Sequence, residues 1–212
     1  MPLDENIIKA KCIDYLLSRH TNELDDYVLV NELKFADGKR RADLVEVNGS
    51  MNVYEIKSDL DNLEKLHDQI IDYKGTFDTV TIVTTLKHLN NIKKHTPNNV
   101  GVILVDENCI KEVRSPVTYK KFDSFFLASF LELETINLLL KELKVSGRSK
   151  LTITEKRKYV SKYLPSEELR GLAINSIKKN YKKQFDGFYN NRGALTLPDD
   201  ISLFWHGNII AA

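Results

Sequence analysis

Two glycine-bearing turns divide the early part of this chain into three β-rich runs, and they constrain its fold more than any other feature. Residues 27–35 are rich in Val, Leu and aromatic side chains; residues 41–47 and Met51–Lys57 follow, with Asp37-Gly38 and Asn48-Gly49 between the runs. Asn-Gly is a strong two-residue hairpin signal, because both central residues of that turn type need positive φ. Strands joined by such short turns must return antiparallel to one another. The expectation is a three-stranded meander.

The meander is flanked by helical and β-branched segments. Glu5–Ser18 carries an apolar stripe at Ile7, Ile8, Ile13, Leu16 and Leu17, which predicts a helix. After the third run, Ser58 with Asp61 three residues on forms a capping-box-like pair, so a helix is expected from there to Gly75, burying Leu63, Leu66, Ile70 and Tyr73. Residues 80–85 read as a strand, Leu86–His95 as a helix, 100–105 as a buried strand and 109–113 as a short edge strand. Strands alternating with helices after a hairpin imply a mixed α/β sheet flanked by helices. Beyond Pro116 the pattern becomes helical over 123–143, 152–163 and 166–183, and a loop-rich tail, 184–212, follows. The division expected is a body over residues 1–115 and a C-terminal helical extension over 116–212.

Composition excludes several classes. With 42% hydrophobic and 29% charged residues the chain is an ordinary globular sequence. Met1–Glu5 leads into an amphipathic segment, not an apolar core, so no signal peptide is expected. The apolar stretch 125–143 is interrupted by Glu132, Glu134 and Asn137 and cannot span a bilayer. A cytoplasmic protein without membrane contact is the expectation. Cys12 and Cys109 sit in apolar contexts without metal spacing and read as buried thiols. His67, His88 and His95 lack ligand spacing, which argues against zinc, and no phosphate-cradling Gly-x-x-x-x-Gly-Lys loop is present. Trp205 and His206 read as a docking anchor for the tail.

The net charge of +1 conceals a polarity. Residues 148–183 carry 11 Lys/Arg against three Glu, or +8, which leaves −7 on the rest. Lys178, Lys179, Lys182 and Lys183 are the densest part of this run and are candidates for contact with a polyanion; a solvated lysine-rich helix face gives the same pattern.

The chemistry-bearing residues cluster in the meander. In a strand, side chains at i and i+2 share a face, so Glu55 and Lys57 are neighbours, with Asp43 on the preceding run. Hydrolysis of a phosphodiester needs a cation to neutralise developing charge and a source of hydroxide, and Mg²⁺ held by carboxylates supplies both. Asp43 and Glu55 are the candidate metal ligands, with the carbonyl of Ile56 a third. Lys57 is placed to act on the attacking water or the developing charge. Glu32 on the first run could extend the acidic cluster or bind a second metal, and Arg40 and Arg41, with Lys39 beside them, could contact phosphates.

These residues, in this order around a helix and a three-stranded meander, resemble the PD-(D/E)xK nuclease superfamily, the restriction-endonuclease-like fold. The resemblance covers roughly residues 5–105, with Ala42 where a Pro often precedes the Asp. It implies that Asp43 and Glu55 bind Mg²⁺ or Mn²⁺ and that Lys57 serves the nucleophilic water. Gln69 and Tyr73, spaced i, i+4 on the following helix, are similar to the Gln-x-x-x-Tyr element of RecB-like members, beside the active site. The stretch 55–63 with Phe77-Asp78 also looks like bacterial and prophage members of unassigned function. The resemblance implies a metal-dependent nuclease acting on DNA in preference to RNA, in repair, restriction or phage defence, or mobile-element processing. Restriction-type enzymes often act as homodimers, because two sites must cut two strands. A catalytically silent nucleic-acid- or protein-binding module of the same fold, or a nuclease toxin, are the other readings.

Overall fold

In a computed structural model of the 212-residue chain, which describes residues 3–20 and 24–205 apart from the side chains of 203 and 205, six strands form one sheet in chain order: β1 (Val28–Phe35), β2 (Arg40–Val47), β3 (Met51–Lys57), β4 (Thr79–Thr84), β5 (Gly101–Val105) and β6 (Ile110–Arg114). β1, β2 and β3 pair antiparallel, β3, β4 and β5 parallel, and β6 closes the edge antiparallel to β5. The parallel pairs need crossover helices, supplied by α2 (Leu66–Lys74) and α3 (Leu86–His95). Helix α1 (Glu5–Ser18), capped where the Asp4 side chain accepts from the Asn6 amide, lies against β3, β4 and β6.

The second turn of the meander is longer than the two-residue turn that Asn48-Gly49 signals, and the first is a four-residue loop. Phe35 pairs with Arg40, so residues 36–39 form the first loop, and Ala36, Asp37 and Gly38 all have positive φ. Val47 pairs with Met51, so the second loop has three residues; Gly49 takes φ +119 while Asn48 stays out of the left-handed region. The Asn48 side chain instead accepts from the amide and hydroxyl of Ser50, closing the turn through its side chain.

The Ser58–Asp61 pair does not start a helix. Asp61 accepts from both the amide and the hydroxyl of Ser58, which closes a local turn at the end of β3, and α2 begins only at Leu66. Side-chain capping chemistry fits a free-standing turn as well as a helix start. The helical stretch expected over 123–143 is two helices, α4 (Ser124–Ala128) and α5 (Leu133–Glu142). The chain breaks between them because the Ser129 hydroxyl is taken by the Phe126 carbonyl and the Ala36 amide, and Phe130 turns into the core. There Phe35 gathers Tyr73, Phe77, Phe126 and Phe130 at centroid distances of 5.5–6.4 Å.

Helix α6 (Ile153–Tyr163) starts at a complete capping box of Thr152 and Glu155. Helix α7 (Ser166–Asn191) runs eight residues past the expected end at 183, and a 3-10 turn, Pro198–Trp205, follows in the tail. The longer helix is explained by Phe185 and Phe188, which continue its buried face; Phe185 packs on Tyr27 at 5.4 Å and Phe188 on Phe204 at 4.1 Å. The docking role read for Trp205 and His206 rests on a side chain and a residue that lie outside those described. The expected division at residue 115 falls in the loop between β6 and α4. Across it, α7 lies on β1 and β2, and Arg170 grips the buried Asp78 through Nε and Nη2 at 2.7 and 2.9 Å. Cys12 is buried as expected, but Cys109 is exposed in the turn before β6, held by Asp106.

Candidate metal site on the meander

The register of the meander brings three carboxylates to one level. Asn31 pairs with Leu44 and Leu33 with Ala42, which sets Glu32 opposite Asp43. That position is missing from the ladder because Glu32 adopts φ +58, a conformation costing a non-glycine residue about 1–3 kcal/mol unless its surroundings hold it. On the other side the β2–β3 pairing ends at Leu44 and Tyr54, and one step further Asp43 faces Glu55. The strands separate there, and the Ile56 amide donates to Asp43 Oδ2 at 2.8 Å. A side chain takes the amide that would otherwise continue the ladder.

Glu55 is almost wholly buried and is held from three sides. Its Oε1 accepts from Lys57 Nζ at 2.6 Å and from Gln69 Nε2 at 2.5 Å, and its Oε2 accepts from the Tyr73 hydroxyl. A carboxylate offers about four acceptor directions, so Glu55 is oriented without being exhausted. Burial, then the charge of Glu55 and the bond to it, raise the Tyr73 hydroxyl above its ordinary range and keep it a donor. Gln69 and Tyr73 thus meet the site from one face of α2, as their spacing implies.

Asp43 is the strained member of the row. Burial and then the charge of Glu55 push its carboxyl up to about 7, against the pull of the Ile56 amide and Lys9. Helix α1 adds a fourth carboxylate: one oxygen each from Glu5, Glu32 and Asp43 lie within 4.8 Å of one another. Six oxygens at ~2.1 Å around Mg²⁺ stand roughly 3–4 Å apart, so this all-oxygen set fits a hard divalent ion after small adjustments. Lys9 reaches into the same group, with Nζ 2.8 Å from Glu32 Oε1 and 3.4 Å from Glu5 Oε1. The site deepens from an open rim to a closed floor: the side chains of Arg41 and Glu5 are 58% and 46% exposed, those of Lys9 and Glu55 3% and 2%.

The structure therefore assembles Asp43, Glu55, Lys57, Glu32 and Gln69 in one place. Ile56 is there too, but the bond it contributes to the site is its amide on Asp43, not a carbonyl. Tyr73 is buried and positions Glu55, so it has no surface with which to meet a nucleic acid. Arg41 pairs with Glu32 and Arg40 with Asp72 at the rim. On α7, Lys178, Lys179 and Lys182 pair with Asp26, Glu132 and Asp186, while Lys183 is exposed. Among the described residues, none of these four lysines bonds a residue of the carboxylate cluster.

Sequence reasoning missed Glu5 and Lys9. A signal was present: at i, i+4, i+8 and i+11, Glu5, Lys9, Ile13 and Leu16 share one helix face, and two charges on an otherwise apolar stripe need an internal partner.

Among known proteins, residues 2–204 match the family described as Bacteriophage P4 protein cII. "Protein cII" of Enterobacteria phage P4 is 30% identical over 191 residues, covering 88% of this chain and 71% of that protein. A solved structure, the SPO1766 protein of unknown function from Silicibacter pomeroyi, aligns with 71% of this chain and 97% of its own at 17% identity and a TM-score of 0.42, a likeness too loose to bear on the site.

Proposed function

The chain belongs to the bacteriophage P4 protein cII family, and we propose that it is a divalent-metal-dependent nuclease hydrolysing phosphodiester bonds, with DNA the substrate tested first. The observation that carries this reading is the row Glu32, Asp43 and Glu55 across three strands, joined by Glu5 and ending in the Glu55–Lys57 pair. Three carboxylates converging around an acid raised to about 7 is an arrangement that a bound cation would relieve.

Asp43, Glu5 and Glu32 would hold Mg²⁺ or Mn²⁺, with Glu55 beside them. Bound there, the ion would supply Lewis acidity toward a phosphate oxygen and a source of hydroxide near neutral pH. The chain's own residues do the positioning. Gln69 and Tyr73 fix the plane of Glu55, and Glu55 in turn fixes the Lys57 ammonium at the carboxyl end of β3. From there Lys57 can orient a water or stabilise charge on the phosphate oxygens. The exposed Arg41 and Arg40 stand at the open rim, where a phosphate backbone would pass.

Among the described residues no helix is long and apolar enough to cross a membrane, and a cytoplasmic setting completes the proposal. Purified protein should cleave single-stranded, duplex or branched DNA in Mg²⁺ or Mn²⁺ and not in EDTA, with RNA as the parallel substrate. Lys57→Ala should lower the rate by about 10²-fold or more, the scale of a lost proton-transfer or charge-stabilising group, while Mn²⁺ binding persists. Undiminished cleavage by Lys57→Ala would sink the assignment. Sizing with and without DNA would show whether two copies act together.

A further inference from the structure

We propose that Lys9 is a resident cation of the site, fixed where a second divalent ion would otherwise sit, so that the protein binds one divalent ion and not two. The inference rests on the metal-site reading above and adds to it the number of ions and the residue that sets that number.

Lys9 lies on the buried face of α1 between Ile8 and Ala10, and it is only 3% exposed. Taking an ammonium out of water is strongly unfavourable unless carboxylates surround it. Lys9 has two, Glu32 Oε1 at 2.8 Å and Glu5 Oε1 at 3.4 Å, and Asp43 feels its charge. Helix packing holds its stem, so the ammonium cannot leave for solvent while α1 stays docked. One oxygen each of Glu5 and Glu32 is therefore already engaged by Lys9, and what remains of the two carboxylates, with Asp43, suffices for one ion and not for a second. Two-ion sites set their metals about 3.5–4 Å apart, and on this side that space is Lys9's.

Charge counting gives the same answer. With Asp43 ionised, as a metal ligand must be, four carboxylates (Glu5, Glu32, Asp43, Glu55) face three cations (Lys9, Lys57, Arg41), leaving one net negative charge. One divalent ion turns that into one positive charge, which a singly charged phosphodiester neutralises. Two ions would leave three positive charges in a largely buried site, with one phosphate to balance them. The two lysines also bracket the row: Lys9 at its Glu32 end and Lys57 at its Glu55 end. Asp43 stands between them, bonded to the Ile56 amide.

The test counts ions in the absence of any nucleic acid. Isothermal titration of the full chain with Mn²⁺, cross-checked by the loss of the free-ion electron-spin signal, should give one site in the wild type and one in Lys9→Arg. Lys9→Met, which keeps the stem and removes the charge, should give two, and Lys9→Gln serves the same purpose if Lys9→Met does not fold. Asp43→Asn identifies the sites that belong to this cluster. Two such sites in the wild type, or one in both neutral variants, would overturn the role of Lys9 while leaving the metal site standing. No Mn²⁺ binding by the wild type would remove the metal site itself, and Lys9's role with it.

Discussion

Strand β2 carries two carboxylates three residues apart, Asp43 and Glu46, and their surroundings differ in kind. Glu46 is buried among donors: it accepts from Asn52 Nδ2 at 3.0 Å and the Tyr54 hydroxyl at 3.2 Å, and His20 Nε2 lies at 2.9 Å. The groups around it stay protonated, since burial first and the Glu46 charge second raise Cys12, Tyr27 and Tyr54. Asp43 has one amide and the charge of Lys9, and otherwise faces carboxylates, whose push together with burial outweighs that pull. A buried carboxylate supplied with donors is satisfied within the fold; one faced mostly by other carboxylates is not. Burial alone does not distinguish a structural acid from a site. The sign of the charge around it does.

The sharpest way to break this comparison is with metal. Ion bound only by the folded chain stabilises it by mass action, about 2.7 kcal/mol at a hundredfold excess over Kd. For a chain of this size that is a rise in Tm of roughly 5–10 °C. Asp43→Asn should abolish the rise and relieve repulsion in the metal-free protein, and Glu46→Gln should keep the rise in full. An Asp43→Asn variant that still gained the whole shift would show that Asp43 is not a ligand.

Proton linkage makes the same point without metal. Asp43 is raised from 3.8 to about 7 in the folded chain, so between those pH values the native state holds a proton that the unfolded state has lost. Stability should then fall as pH rises from about 4 to 7, by about 4 kcal/mol at most from this group. Denaturant titrations across that window should show the decline in wild type and a flatter profile in Asp43→Asn. Other carboxylates act in the opposite direction, so the difference between the two proteins is the quantity to read.

Glu46→Gln should have the smaller effect of the two and on stability alone. Turning one acceptor oxygen into an amide donor places it against the Tyr54, Asn52 or His20 donors, a loss of about 1–3 kcal/mol. The metal-free Tm should drop while Mn²⁺ stoichiometry holds. A change in metal binding would mean that the two clusters are coupled through β2.

Why the site was more legible than its support follows from the same geometry. Asp43, Glu55 and Lys57 could be read because period-two alternation and short turns fix which side chains meet across a meander. The order of β4, α3, β5 and β6 followed from alternating strand and helix patterns. Glu5 and Lys9 meet the site only through the docking of α1, a contact between residues 23 and more apart for which no local period exists. The failed helix start at Ser58 shows the reverse case: Asp61 satisfies Ser58 within one turn, so a capping signature appeared without a helix. The break between α4 and α5 was likewise invisible, since it depends on Ser129 bonding Ala36 in a distant loop.

The carboxylate cluster and the basic helix α7 differ in how far their charges are already paired. The charge of α7 alone made Lys178, Lys179, Lys182 and Lys183 equal candidates for gripping a phosphate backbone. The structure makes them unequal. Lys178, Lys179 and Lys182 already bond Asp26, Glu132 and Asp186, whereas Lys183 is exposed and has no bonded partner among the described residues. An ammonium held by a carboxylate releases few DNA counterions when it meets a phosphate, because its charge is already balanced. If α7 meets DNA, Lys183→Ala should lower the log–log salt slope by about 0.9 on duplex or about 0.7 on single strands. The triple variant Lys178→Ala, Lys179→Ala, Lys182→Ala should flatten it by much less than three such steps, with Mn²⁺ binding untouched in both. A triple variant that removed roughly 2.7 units on duplex would show that the ion pairs open to receive the backbone. An unchanged slope in Lys183→Ala would leave α7 as a solvated face and place the grip on DNA at the Arg40–Arg41 rim.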